Sequence, residues 1–226
     1  MAGFNRFLAA TALAAAVGIG GSAQAATNFV TNGNFATPNE LGNWAAVPND
    51  PIGSGWQGSD SGSYEVGNSG IYGLPCISTG CQNAEVNYNG FDKLSQQISG
   101  LTAGKTYNLT FDYGGRNDGG PQKLEVYFTN AGENPTQVLL GTVTSVGNAE
   151  NSGWSYHWYG VKPTSTSGTL SFESLNVGGT PGYGSELTNV SFTDVPEPAA
   201  WALMLLGFGG MGAALRMRRR VALVTA

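Results

Sequence analysis

The sequence predicts an all-β fold, an antiparallel β-sandwich, carried between an exported leader and a membrane-spanning tail. Three observations predict it. Apolar residues alternate with polar ones in several short runs, the period of a strand with one buried face. Clusters of Gly, Asn and Pro such as "GGRNDGGP" and "NVGGTPGYG" separate those runs and supply turns. Charged residues make up only 11% of the 226, and there are 35 glycines, a composition poor in helix-surface residues and rich in turn formers.

The elements follow in chain order. Arg6 precedes an apolar stretch, residues 7–19, and then "GSAQAA". Ala23-Gln24-Ala25 has the small-x-small form read by signal peptidase, so residues 1–25 are expected to be a signal peptide. A β-sandwich domain is expected over 26–194. Within it "KTYNLTFDY" sets Tyr107, Leu109, Phe111 and Tyr113 on one face, and "KLEVYF" does the same with Leu124, Val126 and Phe128. "TLSFESL" and "LTNVSF" add further strands. "WSYHWYGV" puts Trp154, Tyr156 and Trp158 in phase, and that aromatic stripe is expected to pack in the core. "FDKLSQQISGL" reads as either a short helix or a strand ended by Gly100.

The tail, residues 195–220, has its own physics. Residues 199–215 hold no ionisable side chain, and Arg216, Arg218, Arg219 and Arg220 follow directly. Seventeen helical residues rise roughly 25 Å, close to the thickness of a hydrocarbon core. The arginines act as a stop and stay cytoplasmic, which places everything before the span outside. An oxidising location follows, and there Cys76 and Cys81 are expected to form a disulfide. A zinc site would lack ligands, since the chain has no other cysteine and one histidine.

Charge narrows the partners. Between the leader and the tail five basic residues (Lys93, Lys105, Arg116, Lys123, Lys162) face fourteen acidic ones, a balance near −9. Nothing there would neutralise phosphates, which argues against nucleic acid.

Two resemblances follow from motifs. Pro196, Glu197, Pro198, Trp201 and Ala202, with the apolar run and arginines behind them, resemble the PEP-CTERM sorting signal in its PEPxxWA form. That resemblance implies recognition by an exosortase-type membrane protease in a Gram-negative bacterium, after signal peptidase has removed the leader. It further implies delivery from the inner membrane to the cell envelope, the outer surface or the extracellular matrix. The domain is similar to galactose-binding-like jelly rolls, including DUF642-type and related carbohydrate-binding modules. The residues that carry this are "NFVTNGNFATP", Trp56 in "GSGWQ", "LSQQISGLTAGKTYNLTFDYGGR", Trp154, Trp158 and "GYGSELTNVSF". The resemblance implies a jelly roll that binds glycans, here the exopolysaccharide of the producing cell. Many relatives hold a structural calcium with acidic residues where Ala36 and Thr188 stand here. Glu186, Asn189 and the backbone near Asn34 are what remains of that ligand set, and no cofactor is expected.

Candidate ligand-binding residues come from the chemistry of sugars, which stack on aromatic faces and hydrogen-bond to charged and amide side chains. Trp56, Tyr64, Tyr113, Arg116 and Asp118 are singled out, with Trp44, Tyr72, Trp154 and Trp158 as further ring faces. Arg116 and Asp118 sit in the glycine-flanked loop "YGGRNDGG". No catalytic residues are expected, because no nucleophile motif is present and His157 stands alone in an aromatic strand. The alternatives are a secreted polysaccharide-active enzyme and a structural biofilm protein without a specific ligand.

Overall fold

Alternation of buried and exposed residues organises eleven strands into two antiparallel sheets. The computed structural model describes residues 26–39, 43–49, 55–59, 62–147, 153–195, 204–213 and 216. The strands are β1 (Trp44–Pro48), β2 (Trp56–Gly58), β3 (Ser63–Asn68), β4 (Gln82–Glu85), β5 (Lys93–Ser99) and β6 (Tyr107–Gly114). They continue with β7 (Gln122–Asn130), β8 (Thr136–Ser145), β9 (Trp154–Val161), β10 (Ser167–Leu175) and β11 (Glu186–Asp194). One sheet has the order β1-β3-β4-β11-β6-β9 and the other β2-β5-β10-β7-β8. The stretch read as helix or strand is β5, with Leu94, Gln96 and Ile98 turned inward and Gly100 at φ 79° ending it.

The core lies between the sheets. Tyr107, Leu109, Phe111 and Tyr113 of β6 are buried, as are Leu124, Val126 and Phe128 of β7. Ring contacts tie the layers together: Phe111 meets Phe172 edge-on at 5.1 Å, and Phe192 stacks on both Tyr107 and Phe128. The polar Gln96 is tolerated there because its amide exchanges two hydrogen bonds with the backbone of Thr31. Ala26–Val195 is a compact unit, and every residue of its hydrophobic core, from Val30 to Phe192, belongs to it.

Three expected ligand residues are part of that core. Trp56 is fully buried, with Phe35 at 5.2 Å and Phe172 at 6.2 Å, and its indole N–H donates to the Asn32 carbonyl. Tyr64 and Tyr113 are buried on the inward faces of β3 and β6. The glycines around Trp56 suggest an open loop, but β2 pairs with β5 and seats the indole between the sheets.

The aromatic stripe of β9 is corrected in the opposite sense. The phase of the alternation is right and its direction reversed. His157 stacks on buried Phe111 at 5.2 Å and Val161 is buried, whereas Tyr156 is 66% and Trp158 57% exposed. In register with β6, His157 lies opposite buried Phe111 and so faces the core, which turns Tyr156 and Trp158 outward.

Replacing Trp56 with alanine is expected to lower the stability of the Ala26–Val195 unit by about 4 kcal/mol, the cost of a large core cavity. Denaturant unfolding checks this, and a loss under about 1 kcal/mol would mean the indole is not a core residue.

Candidate functional site

Cross-strand register builds the site. Glu65 of β3 lies opposite Glu85 of β4, and Glu85 lies opposite Glu186 of β11. The row continues into Gly114 and Trp154. Val66, Ala84, Leu187 and Tyr113, one step along each strand, point into the core. The three glutamates therefore share the outer face of the six-stranded sheet. They are nevertheless buried, because residues 69–81 fold back over them.

That covering segment begins with a single 3-10 turn, Ser69–Tyr72, capped by the Asn68 side chain accepting from the Gly70 N–H. Tyr72 lies flat on β3, where Gly67 leaves room. A Cβ at Gly67 would come within 2.1 Å of the Tyr72 hydroxyl. Trp154 donates its indole N–H to the Pro75 carbonyl at 2.7 Å. The Cys76–Cys81 disulfide, with Cα atoms 4.7 Å apart, closes the return. Ser69 then donates its N–H and hydroxyl to the Cys81 carbonyl.

One cation serves the row. Arg116, on the loop after β6, donates from Nη1 to Glu85 Oε2 at 2.9 Å and from Nε to Asp118 Oδ1 at 2.8 Å. Its guanidinium lies 4.3 Å from the centre of the Tyr183 ring and 5.2 Å from that of Tyr72. The Gly184 N–H donates to the other oxygen of Glu85, and the Tyr72 hydroxyl to Glu65. Asn83 donates to Glu186 Oε2.

The charge states follow from this geometry. Burial, then repulsion from Glu65, pushes Glu85 up to about 7 despite Arg116 and the Gly184 N–H. Burial, then the charges of Glu85 and Glu65, raises Glu186 well above the usual carboxylate range. Burial also raises Glu65, against its bond from Tyr72. Burial works against the charge on Arg116, but Asp118 and Glu85 reverse that and the net direction is upward. The row thus carries a fixed guanidinium beside carboxyl groups whose ionisation burial opposes.

Above it opens a cleft of about 490 Å³. Trp44, Tyr72, Tyr88 and Tyr183 give it an aromatic wall, Ile71 adds an aliphatic patch, and Glu65, Asn89 and Arg116 supply its polar groups. Its size suits a small ligand or a few units of a polymer. Of the five ligand residues expected from sequence, Arg116 lines this cleft and Asp118 steadies it from the side, while Trp56, Tyr64 and Tyr113 are core. Sequence reasoning missed Glu65, Tyr88 and Tyr183. Tyr183 stands in the glycine-rich "GGTPGYG" loop, a readable signal, but no pattern within β3 announces that Glu65 lines the same cleft as Arg116. On the same sheet face, Tyr156 and Trp158 of β9 stand beside Asp112 and Thr110, and Asn189 donates to Asp112 at 2.9 Å.

Of the residues named for a structural calcium, Glu186 accepts from Asn83, and the Asn189 side-chain amide donates to Asp112. Among the described residues, no group of three or more His, Cys, Asp or Glu is placed to hold a metal ion.

Beyond the domain, residues 204–213 are helical, with Leu205, Leu206, Phe208 and Met211 exposed. Among the described residues no helix is long and apolar enough to cross a membrane. The expected span 199–215 lies partly outside them, as do wholly the leader, Pro196, Glu197, Pro198, Trp201 and Ala202, and Arg218, Arg219 and Arg220.

Residues 194–220 carry a PEP-CTERM protein-sorting motif. A PEP-CTERM signal indicates an exported protein that is processed at a membrane. No curated protein matches the chain. Among solved structures, the chain is similar to TmCBM61, solved in complex with beta-1,4-galactotriose (TM-score 0.47, 17% identity, 75% of this chain and 99% of that one). It is also similar to a CBM4 module (TM-score 0.44, 19% identity, 74% and 99%). A third is the CBM22-1 xylan-binding domain of Paenibacillus barcinonensis Xyn10C (TM-score 0.46, 11% identity, 78% and 99%). What those modules bind is a property of those modules.

The carboxylate row makes stability depend on pH. A carboxyl raised from 4.5 to about 7 keeps a proton in the folded state that the unfolded chain releases. Its stabilising contribution is full below pH 4.5 and is lost as pH rises through about 7. The denaturation midpoint is expected to be higher near about pH 5 than near about pH 8, and Glu186→Gln to narrow the gap. Equal midpoints, or an unchanged gap in the variant, would contradict this.

Proposed function

We propose that this chain is an exported, non-catalytic carbohydrate-binding protein whose cleft over the Glu65, Glu85 and Glu186 row takes a neutral polysaccharide, the producing cell's own exopolysaccharide. One observation carries the reading: an open cleft in which Trp44, Tyr88 and Tyr183 surround a guanidinium fixed by two carboxylates. Aromatic faces take the C–H surface of a pyranose, and the remaining Arg116 and Asn89 N–H groups meet hydroxyls. Neutral glycans are favoured because, among the described residues, Arg116 is the one cation of the cleft lining and is already paired with Glu85 and Asp118 in an acidic domain, and such a field repels uronates.

Hydrolysis is disfavoured by the same geometry. Cleaving a glycosidic bond takes two carboxyl groups flanking the sugar. Glu65 is the carboxylate in the cleft lining, and Glu85 and Glu186 lie covered beneath Arg116 and residues 69–81. In the tail, residues 199–215 serve as a transient membrane helix stopped by the arginines, while an exosortase-type protease reads Pro196, Glu197 and Pro198.

Affinity electrophoresis of Ala26–Val195 through neutral polysaccharides, the producer's own included, is expected to show retardation. Tyr183→Ala should weaken it roughly tenfold, about 1.4 kcal/mol. No retardation in any neutral polymer would end this reading, and release of reducing ends would replace it with an enzyme. Alanines at Pro196, Glu197 and Pro198 are expected to leave full-length precursor in the membrane fraction. Normal trimming in that variant would refute the sorting role.

A further inference from the structure

We propose that the edge of β8, unpaired among the described residues, pairs with β8 of a second copy of this chain, giving a closed dimer in which the five-stranded sheets become continuous. The inference is independent of the carbohydrate reading.

An edge strand presents a row of unpaired N–H and C=O groups, and folded proteins blunt such rows with charges, proline, bulges or shortness. Two of the four edges here are blunted. β2 has three residues, and β1 has five and ends on Pro48. A third, β9, carries the large side chains Trp154, Tyr156 and Trp158. β8 is different. It runs for ten residues, "TQVLLGTVTS", with no charge and no proline, and Thr and Val fill five of the ten positions. Val138 is 44% and Leu139 51% exposed beside that edge. Its one blunting feature is a bulge at Leu140, where the register against β7 shifts between Val126 and Tyr127, and residues 136–139 and 141–145 remain regular strand on either side of it.

The partner follows from charge. The domain is acidic, and self-repulsion opposes contact between most of its surfaces. Along β8 no side chain is ionisable, and His157 is the one titratable group of β9 outside its tyrosines. β9 meets β8 at this side of the sandwich, where a Cβ at Gly141 would lie 2.3 Å from the Tyr159 ring. An uncharged strand selects no acidic or basic partner, but it matches itself. Antiparallel pairing about a dyad at Leu140 sets residues 136–139 of each copy against 141–144 of the other. Val138 then faces Thr142, and Leu139 faces Gly141, of the second copy. The contact is isologous, so it uses up both edges and stops at two. Each dimer would present two clefts to one polymer.

Sedimentation equilibrium on Ala26–Val195, which has its own core, and on the full chain in detergent tests this. A dimer is expected, weakened roughly tenfold or more by Val138→Lys and by Thr142→Lys. Gln97→Lys, on the exposed face of β5, should leave it unchanged. Amide exchange of the wild-type protein needs no variant, and outward β8 amides should gain protection as concentration rises. A monomer throughout, growth beyond a dimer, or equal weakening by Gln97→Lys would overturn the proposal. So would β8 protection that ignores concentration.

Discussion

Glu65, Glu85 and Glu186 stand side by side on three adjacent strands, and the outer half of this molecule is arranged around that fact. Like charges directly opposite one another in a sheet are destabilising, and burial makes them more so. The row persists because burial holds Glu186 toward its neutral form, Tyr72 donates to Glu65, Asn83 donates to Glu186, and Arg116 supplies a countercharge. Each of those partners has to be held in place. The 3-10 turn and the disulfide hold Tyr72, and Asp118 with the Tyr183 ring holds Arg116. The cleft is the space left above this arrangement, so its walls are as rigid as the electrostatics beneath them.

Such an arrangement is an expensive way to stabilise a sheet, since apolar residues at the same positions would bury more cheaply. Its product is a guanidinium held at a fixed height between aromatic rings at the mouth of an open cleft. Pre-ordered polar groups lose little freedom when a ligand arrives, which is what a binding site for a flexible, hydrated polymer needs. The sorting motif and the disulfide fit the same setting, an exported protein in an oxidising compartment.

Much of the sandwich was legible in the sequence because alternation is local. Tyr107 to Tyr113 and Leu124 to Phe128 each declare a buried face within a few residues, and both faces are buried as read. Direction was less legible. In "WSYHWYGV" both faces of the strand are aromatic, and only its register with β6, which sets His157 beside buried Phe111, makes His157 the inward residue and Trp158 the outward one. Trp56 failed for a related reason, since flanking glycines describe the loop and say nothing of the strand that pairs with it. The candidate site was legible in the Arg116 loop and in the rings of Trp44 and Tyr72, which line the cleft, but not in the carboxylates beneath them. Arg116 and Asp118 are two residues apart and announce each other, but Glu85 is 31 residues from Arg116 and Gly184 is 99 from Glu85. Contacts of that kind are set by register across β3, β4 and β11, which no short window of sequence contains.

The account's central claim is that the cleft beside Arg116 is where a neutral glycan sits. The most direct measurement is a titration of isotope-labelled Ala26–Val195 with neutral oligosaccharides, followed by amide chemical shifts. The account predicts saturable shifts that cluster at Tyr88, Asn89, Arg116, Gly182 and Tyr183. Saturable shifts confined to the outer face of the five-stranded sheet, or none from any neutral oligosaccharide, would contradict it.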